Sequence, residues 1–207
     1  MPIHYGSQIN EHNYVRNEVG IFDVSHMNIF DFNGTEARKF MRYVLTNDVN
    51  KIQDGCALYS VITNNEGGII DDLIVYKFSN KKFRIISNCS TFNDVKEFFE
   101  DKIARYDCEL IHRSNLGILA IQGPKSKSVI KMIFGSDLPE CKSFSFEIKD
   151  KLFVSRTGYT GEDGFELIGD HEALIKVWNL CISEKVNPIG LGCLLYTSPS
   201  PRDKHRS

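Results

Sequence analysis

Hydrophobic and polar positions recur along the chain with two different periods, which predict both helices and strands. Within residues 35–47 the apolar positions lie three and four residues apart, as on one face of an amphipathic helix. Ser7 is placed to cap a short helix that ends near Gly20. Further helices are predicted at residues 91–106, after Pro124, and at residues 171–183.

Strands are predicted where β-branched and aromatic residues form short runs bounded by turn residues. These runs are residues 21–32, 57–63, 69–78, 83–88, 108–112, 117–122, 144–148, 152–157 and 164–168. Helices and strands are interspersed without strict alternation, so the sequence predicts an α+β fold.

Composition narrows the possible functions. The 207 residues suffice for one large domain or two small ones, and the net charge of −2 is spread without a basic stripe, which argues against nucleic-acid binding. The six cysteines are far apart, with no Cys-x-x-Cys and no His pair at ligand spacing, so we expect reduced thiols, no metal site and no disulfide framework. The sequence shows neither an apolar run of membrane-spanning length nor a signal peptide, and we expect no membrane association.

Two adjacent carboxylates lie inside the apolar run of residues 67–76, Gly-Gly-Ile-Ile-Asp-Asp-Leu-Ile-Val-Tyr. Side chains alternate between the two faces of a strand, so Asp71 is expected to share a face with Ile69, Leu73 and Val75, and Asp72 to lie on the other. Both faces are apolar, and desolvation there favours the protonated acid unless the ion finds a partner. The pair is a candidate site, or alternatively a structural ion pair or a turn.

A second candidate lies in residues 156–166, Arg-Thr-Gly-Tyr-Thr-Gly-Glu-Asp-Gly-Phe-Glu. Its glycines allow the backbone to approach either itself or a ligand closely. The segment lacks the Gly-Lys-Ser/Thr ending of a phosphate cradle, and its acids would repel phosphate. A carboxylate such as Glu166 can instead accept two parallel N–H bonds from a flat, nitrogen-rich ring. The alternative is a hairpin loop with solvated acids.

These stretches resemble the tetrahydrofolate-dependent aminomethyltransferase (T-protein) family of the glycine cleavage system. The resemblance is nearly continuous over residues 1–192. Its most specific blocks are residues 1–8, 20–27, 47–49, 57–60, 67–76, 121–124, 156–166 and 188–192.

The resemblance implies an activity. Members of this family take an aminomethyl group from the lipoyl arm of the H-protein, release ammonia, and form 5,10-methylenetetrahydrofolate. It implies that Asp71 is catalytic, and that Glu166, Tyr159, Asn88 and Tyr59 contact tetrahydrofolate. It implies supporting positions for Glu162 and Asp72, and a complete protein that is monomeric, in the cytoplasm of a bacterium or the mitochondrial matrix of a eukaryote.

The resemblance also implies a domain organisation. Residues 1–192 are expected to form two mixed α/β subdomains, the N-terminal and middle portion of the family's fold. After Gly192 the family continues with Ala-Arg-Asp and a C-terminal barrel domain, whereas residues 193–207 resemble translated adapter sequence and are expected to be a disordered, non-native tail. Without the family's folate-site arginine and third domain, the chain as written is expected to be unstable and inactive.

Two other functions share this fold. One is a non-catalytic, folate-binding regulatory protein of the same superfamily, although its Lys-Gly-Cys-Tyr-type motif is not found here. The other is the folate-binding domain of a sarcosine- or dimethylglycine-type dehydrogenase, which would need a flavin domain upstream.

Overall fold

The computed structural model describes residues 2–136, 142–158 and 160–193. Helices and strands are interspersed in this part of the chain, which confirms the α+β prediction. In order the elements are α1 (Gln8–Asn17), β1 (Gly20–Asp23), β2 (Asn28–Asn33), α2 (Ala37–Val44), a 3₁₀ turn (Val49–Lys51), β3 (Cys56–Thr63), β4 (Ile69–Ser79), β5 (Lys82–Ser87), α3 (Phe92–Ile103), β6 (Glu109–His112), β7 (Leu116–Gln122), α4 (Ser126–Phe134), β8 (Phe146–Lys149), β9 (Leu152–Ser155), β10 (Gly164–Asp170), α5 (His171–Ser183) and β11 (Asn187–Ile189).

The described residues form two compact units. The first unit comprises residues 2–24, 117–136, 142–143, 147–158 and 160–193, and the second comprises Ser25–Leu116 and Phe144–Phe146. In the first unit the strands lie in the order β11-β1-β7-β10-β9-β8. Apolar residues of α4 and α5, including Val129 and Val177, pack on this sheet with Ile121 and Leu167.

The second unit is an antiparallel sheet in the order β3-β4-β5-β2-β6, with α2 and α3 packed on one face. Its core is aromatic. Phe99 of α3 meets Phe32 edge to face at 5.0 Å between ring centroids and lies 6.0 Å from Phe30 and 6.3 Å from Phe40. Such tilted ring pairs add to the stabilisation from buried area alone.

A buried ion pair ties together three segments of the second unit. Asp31 of β2 is 1% exposed and accepts two hydrogen bonds from Arg84 of β5, at 2.6 Å from Nε and 2.8 Å from Nη2. Arg113, just after β6, donates from Nη1 to Asp31 at 2.8 Å. Two guanidinium groups therefore balance one buried carboxylate.

In the first unit, segments that are far apart in the sequence lie side by side. β11 pairs in parallel with β1, with Gly20 opposite Asn187. Glu11 of α1 is buried and accepts from the backbone N–H groups of Tyr5, at 2.7 Å, and Gly190, at 2.9 Å. These bonds hold the first residues of the chain against residues near 190.

Two details differ from the sequence predictions. The extended run predicted at residues 21–32 is two strands in different sheets, because the chain passes from the first unit to the second after Val24. The strand β11 was not predicted, because three residues that include Pro188 are too few to show an alternating hydrophobic pattern.

Among the described helices, none is long and apolar enough to cross a membrane.

The predicted tail of residues 193–207 falls almost entirely outside the described residues. Cys193 is described and buried, and burial raises the pKa of its thiol to about 11.

We expect Phe99→Ala to lower the free energy of unfolding by about 3–5 kcal/mol, because it empties the centre of the aromatic core. Lys96→Ala on the same helix is the matched control. Its ammonium lies 3.7 Å from Glu100 in an exposed i,i+4 pair, so the substitution should cost less than about 0.5 kcal/mol. Urea unfolding followed by circular dichroism measures both, and equal costs would contradict the packing described here.

Candidate functional site

Asp71 is the third residue of β4 and is buried opposite Ile62 of β3. The residue is 4% exposed. Its Oδ2 accepts a hydrogen bond from the backbone N–H of Asn88 at 3.0 Å, and its Oδ1 accepts one from Asn88 Nδ2 at 2.7 Å. The partner that a desolvated carboxylate needs is thus a neutral residue, which leaves the negative charge in place.

A β-bulge beside Asp71 alters the predicted strand faces. Thr63 pairs with Ile69 while Ile62 pairs with Asp71, so Ile70 is the extra residue. The prediction that Ile69 shares the apolar face of Asp71 is therefore wrong: Ile69 is exposed, and Ile70 packs against the core instead. Bulges commonly redirect side chains next to functional groups.

Asp72 connects Tyr59 to the same cluster. Its Oδ2 accepts from the Tyr59 hydroxyl at 3.0 Å, and its Oδ1 accepts from Asn88 Nδ2 at 2.9 Å. The Tyr59 ring, on β3, is 48% exposed. The structure therefore brings together three predicted site residues, Asp71, Asn88 and Tyr59, with Asp72 between them.

Asn88 has a structural role that the sequence did not reveal. It follows β5 directly, and its Nδ2 lies within hydrogen-bond distance of both neighbouring carboxylates. Its own carbonyl accepts from Asn28 Nδ2 at 2.7 Å and from the Thr91 hydroxyl at 3.1 Å. The available signal was the position of Asn88 at the end of the strand that pairs with β4.

Glu166 lies in the first unit, on β10 opposite Ser155 of β9. The hydroxyl of Thr157 donates a hydrogen bond to its Oε2. The Oγ atoms of Ser155 and Thr157 are 2.8 Å apart. Glu166 is thus held by buried hydroxyl groups that the sequence analysis did not single out.

The other two acids of residues 156–166 are ion-paired. Glu162 lies 2.7 Å from Arg16 Nη1 of α1, which also donates to the Thr160 carbonyl at 2.9 Å. Asp163 lies 2.7 Å from Arg156 Nη2, and this hydrogen bond holds the pKa of the Asp163 carboxyl below its usual value. The segment is consequently anchored to neighbouring elements rather than being a loop of solvated acids.

The side chain of Gln122 packs so closely against positions 158 and 164 that only glycine fits there. Its side chain is 1% exposed, its Nε2 donates to the Thr157 carbonyl at 3.4 Å, and its Oε1 accepts from the Thr160 hydroxyl at 3.1 Å. A Cβ at Gly158 would lie 2.2 Å from Gln122 Oε1, and one at Gly164 would lie 2.3 Å from the same amide group. The close approach predicted for these glycines is made to the side chain of Gln122.

Two further observations complete the placement of the site residues. Tyr159 lies outside the described residues. A cavity of about 520 Å³ in the second unit is lined by residues of the β3–β4 turn, the start of β4 and α3, such as Asn64, Ile69 and Phe98. None of the site residues that the structure describes is among its lining residues.

Comparison with known proteins identifies close relatives. Residues 1–196 match the family model described as the GCVT N-terminal domain. An aminomethyltransferase from Francisella tularensis is 43% identical over 196 residues, which cover 93% of this chain and 55% of that protein. The chain thus spans about half the length of the curated relatives it matches.

Solved structures agree with this likeness. The crystal structure of glycine cleavage system aminomethyltransferase T from Bartonella henselae superposes with a TM-score of 0.86 at 29% identity, covering 94% of this chain and 54% of that one. A heterotetrameric sarcosine oxidase from Corynebacterium shares the fold, with a TM-score of 0.53 at 12% identity over 88% of this chain and 86% of that one.

The contact between Gln122 and Gly164 yields a prediction about energetic coupling. Gly164→Ala should destabilise the protein by about 1–3 kcal/mol through overpacking, and Gln122→Ala by a similar amount through lost hydrogen bonds. The double variant should cost at least about 1 kcal/mol less than the sum, because the shortened side chain makes room for the new methyl group. Urea unfolding of all four proteins measures the coupling, and strictly additive costs would contradict it.

Proposed function

The chain belongs to the GCVT N-terminal domain family, and on that premise we propose that the whole protein is a tetrahydrofolate-dependent aminomethyltransferase of the glycine cleavage system. Its partner is the lipoylated H-protein. The 43% identity to the Francisella tularensis aminomethyltransferase and the fold of the Bartonella henselae protein support this proposal. Both relatives are bacterial, which favours the bacterial cytoplasm over the mitochondrial matrix, and we keep the expectation of a monomer.

The proposed reaction breaks the bond between the lipoyl sulfur and the aminomethyl carbon, and the bond between that carbon and its amino nitrogen. Ammonia and the free lipoyl thiol leave, and the carbon becomes 5,10-methylenetetrahydrofolate. Tetrahydrofolate supplies the two nitrogens that accept the carbon. All other chemistry depends on the protein, which must hold the substrates, exclude water and stabilise charge.

The chemistry of the candidate residues fits a reduced folate. The amino-pyrimidine edge of a pterin presents N–H groups, and carboxylates accept such bonds in parallel pairs. Glu166, already oriented by Thr157, is the acceptor that we assign to this edge. Tyr159, Asn88 and Tyr59 are assigned as further folate contacts, with Asn88 also orienting Asp71.

The proposed mechanism rests on the burial of Asp71. Asn88 engages both of its oxygens, so the carboxylate has a fixed direction at low solvent exposure. A charge held in a poorly solvated position stabilises positive charge on a nearby carbon far more than it would in water. It can also direct a proton to or from a substrate nitrogen. Asp71 is therefore the proposed catalytic carboxylate.

We expect Asp71→Asn to lower kcat by about 100-fold or more, since general acid–base groups contribute on that scale, while tetrahydrofolate affinity changes only a few-fold. The assay uses the protein produced from the complete source gene, with aminomethylated H-protein and tetrahydrofolate. Ammonia and 5,10-methylenetetrahydrofolate are both quantified.

Asp94→Asn is the matched control, because it neutralises an exposed carboxylate in the first turn of α3. It should leave kcat unchanged. Turnover of Asp71→Asn near that of the wild type would refute the assignment of Asp71. Folate binding by the wild type without any turnover would instead favour the regulatory, non-catalytic alternative.

A further inference from the structure

Thr157 is a buried residue whose carbonyl and hydroxyl groups both make hydrogen bonds. Its carbonyl accepts from Gln122 Nε2 at 3.4 Å, and its hydroxyl donates to Glu166 Oε2. Ser155, also buried, places its Oγ 2.8 Å from Thr157 Oγ1. Thr157 therefore links the Gln122 amide to the Glu166 carboxylate.

Because each hydroxyl group has one hydrogen, the donor and the acceptor of each of these bonds can be assigned. A hydroxyl carries one hydrogen, and that of Thr157 is directed to Glu166. The 2.8 Å contact with Ser155 is then a donation from Ser155 to Thr157, and the Ser155 hydroxyl also lies 3.5 Å from the Glu166 carbonyl, a longer contact. The order Ser155 to Thr157 to Glu166 fixes Oε2 of Glu166 as a hydrogen-bond acceptor.

The position of Thr157 is itself determined by the backbone around it. Gln122 can reach the Thr157 carbonyl only because Gly158 lacks a Cβ, which would lie 2.2 Å from the Gln122 amide oxygen. Glu166 pairs with Ser155 across β10 and β9, so the carboxylate and both hydroxyls belong to one short piece of sheet. The carboxylate direction is thus determined by packed, buried groups.

We propose that Thr157 is a positioning residue that gives Glu166 its ligand specificity, selecting rings whose edge presents N–H donors and rejecting rings whose edge lacks them. This inference rests on the proposed function, which assigns the 2-aminopyrimidine edge of a reduced folate to Glu166, and it adds the residue that orients that carboxylate. A site built to accept hydrogen bonds discriminates strongly against analogues without the donor, because its buried acceptor is then left unpaired.

The experiment compares two ligands and three proteins. The ligands are 5-formyltetrahydrofolate and its 2-desamino-2-methyl analogue, titrated by calorimetry against the protein produced from the complete source gene. The proteins are the wild type, Thr157→Val, which keeps the side-chain shape without the hydroxyl, and Thr157→Ser, which keeps the hydroxyl.

The wild type should bind the parent folate at least about 10-fold more tightly than the analogue, as expected for one lost hydrogen bond to a charged group. Thr157→Val should weaken binding of the parent about 10-fold and change that of the analogue less than about three-fold, and Thr157→Ser should restore the wild-type ratio. In turnover assays the Val variant should raise the KM for tetrahydrofolate with kcat nearly unchanged.

Three results would overturn the inference. Wild-type discrimination in Thr157→Val would show that the hydroxyl does not matter, and equal loss of both ligands would show a merely structural contribution. A wild type that binds neither ligand would refute the proposed function together with the inference. If thermal unfolding shows that the Val variant does not fold, Thr157→Ala, which introduces no new contact, takes its place in the same titrations.

Discussion

The constraint on which this structure most depends is the cost of burying a carboxylate. Removing a charge from water is expensive unless hydrogen-bond donors replace the lost solvent. Glu11, Asp31 and Asp71 are all buried, and each uses both of its oxygens to join segments of the chain. Glu11 joins the first residues to Gly190, Asp31 joins β2 to Arg84 and Arg113, and Asp71 joins β4 to the end of β5.

The donors that satisfy Asp31 and Asp71 differ in charge. Asp31 faces two guanidinium groups, so its charge is balanced and it has little left to offer a substrate. Asp71 receives its hydrogen bonds from the backbone and side-chain amide of Asn88, which satisfy its oxygens without cancelling its charge. A carboxylate that is buried and oriented, and whose printed partners among the described residues are neutral, is a candidate for a functional group. Glu166, in the first unit, accepts a hydrogen bond from the Thr157 hydroxyl.

Sequence patterns predicted most of the fold and named Asp71 and Glu166, but not which residues donate hydrogen bonds to them, and they did not single out Glu11 or Asp31. The helical spacing of Phe40, Met41 and Val44 reports burial directly, so α2 was predictable. The bulge at Ile70 and the contacts of Asn88 depend on strand register, which no local pattern encodes. The glycines signalled a close approach in residues 156–166, yet only the structure shows that Gln122 makes it. Residue type thus indicated where chemistry is possible, whereas the donors that orient Asp71 and Glu166 lie 17 and nine residues away and are brought to them by strand pairing.

The parallel pairing of β1 with β11 has a consequence for synthesis on the ribosome. The second unit draws almost all of its residues from the continuous stretch Ser25–Leu116, so it can fold while translation is still under way. Gly20, in contrast, meets its partner Asn187 only after nearly the whole described chain has been made. Long-range contacts of this kind form late, and the strand edge of β1 stays open until then. Until residues 187–189 have been made, the nascent chain therefore carries β1 without the partner strand that pairs along this edge.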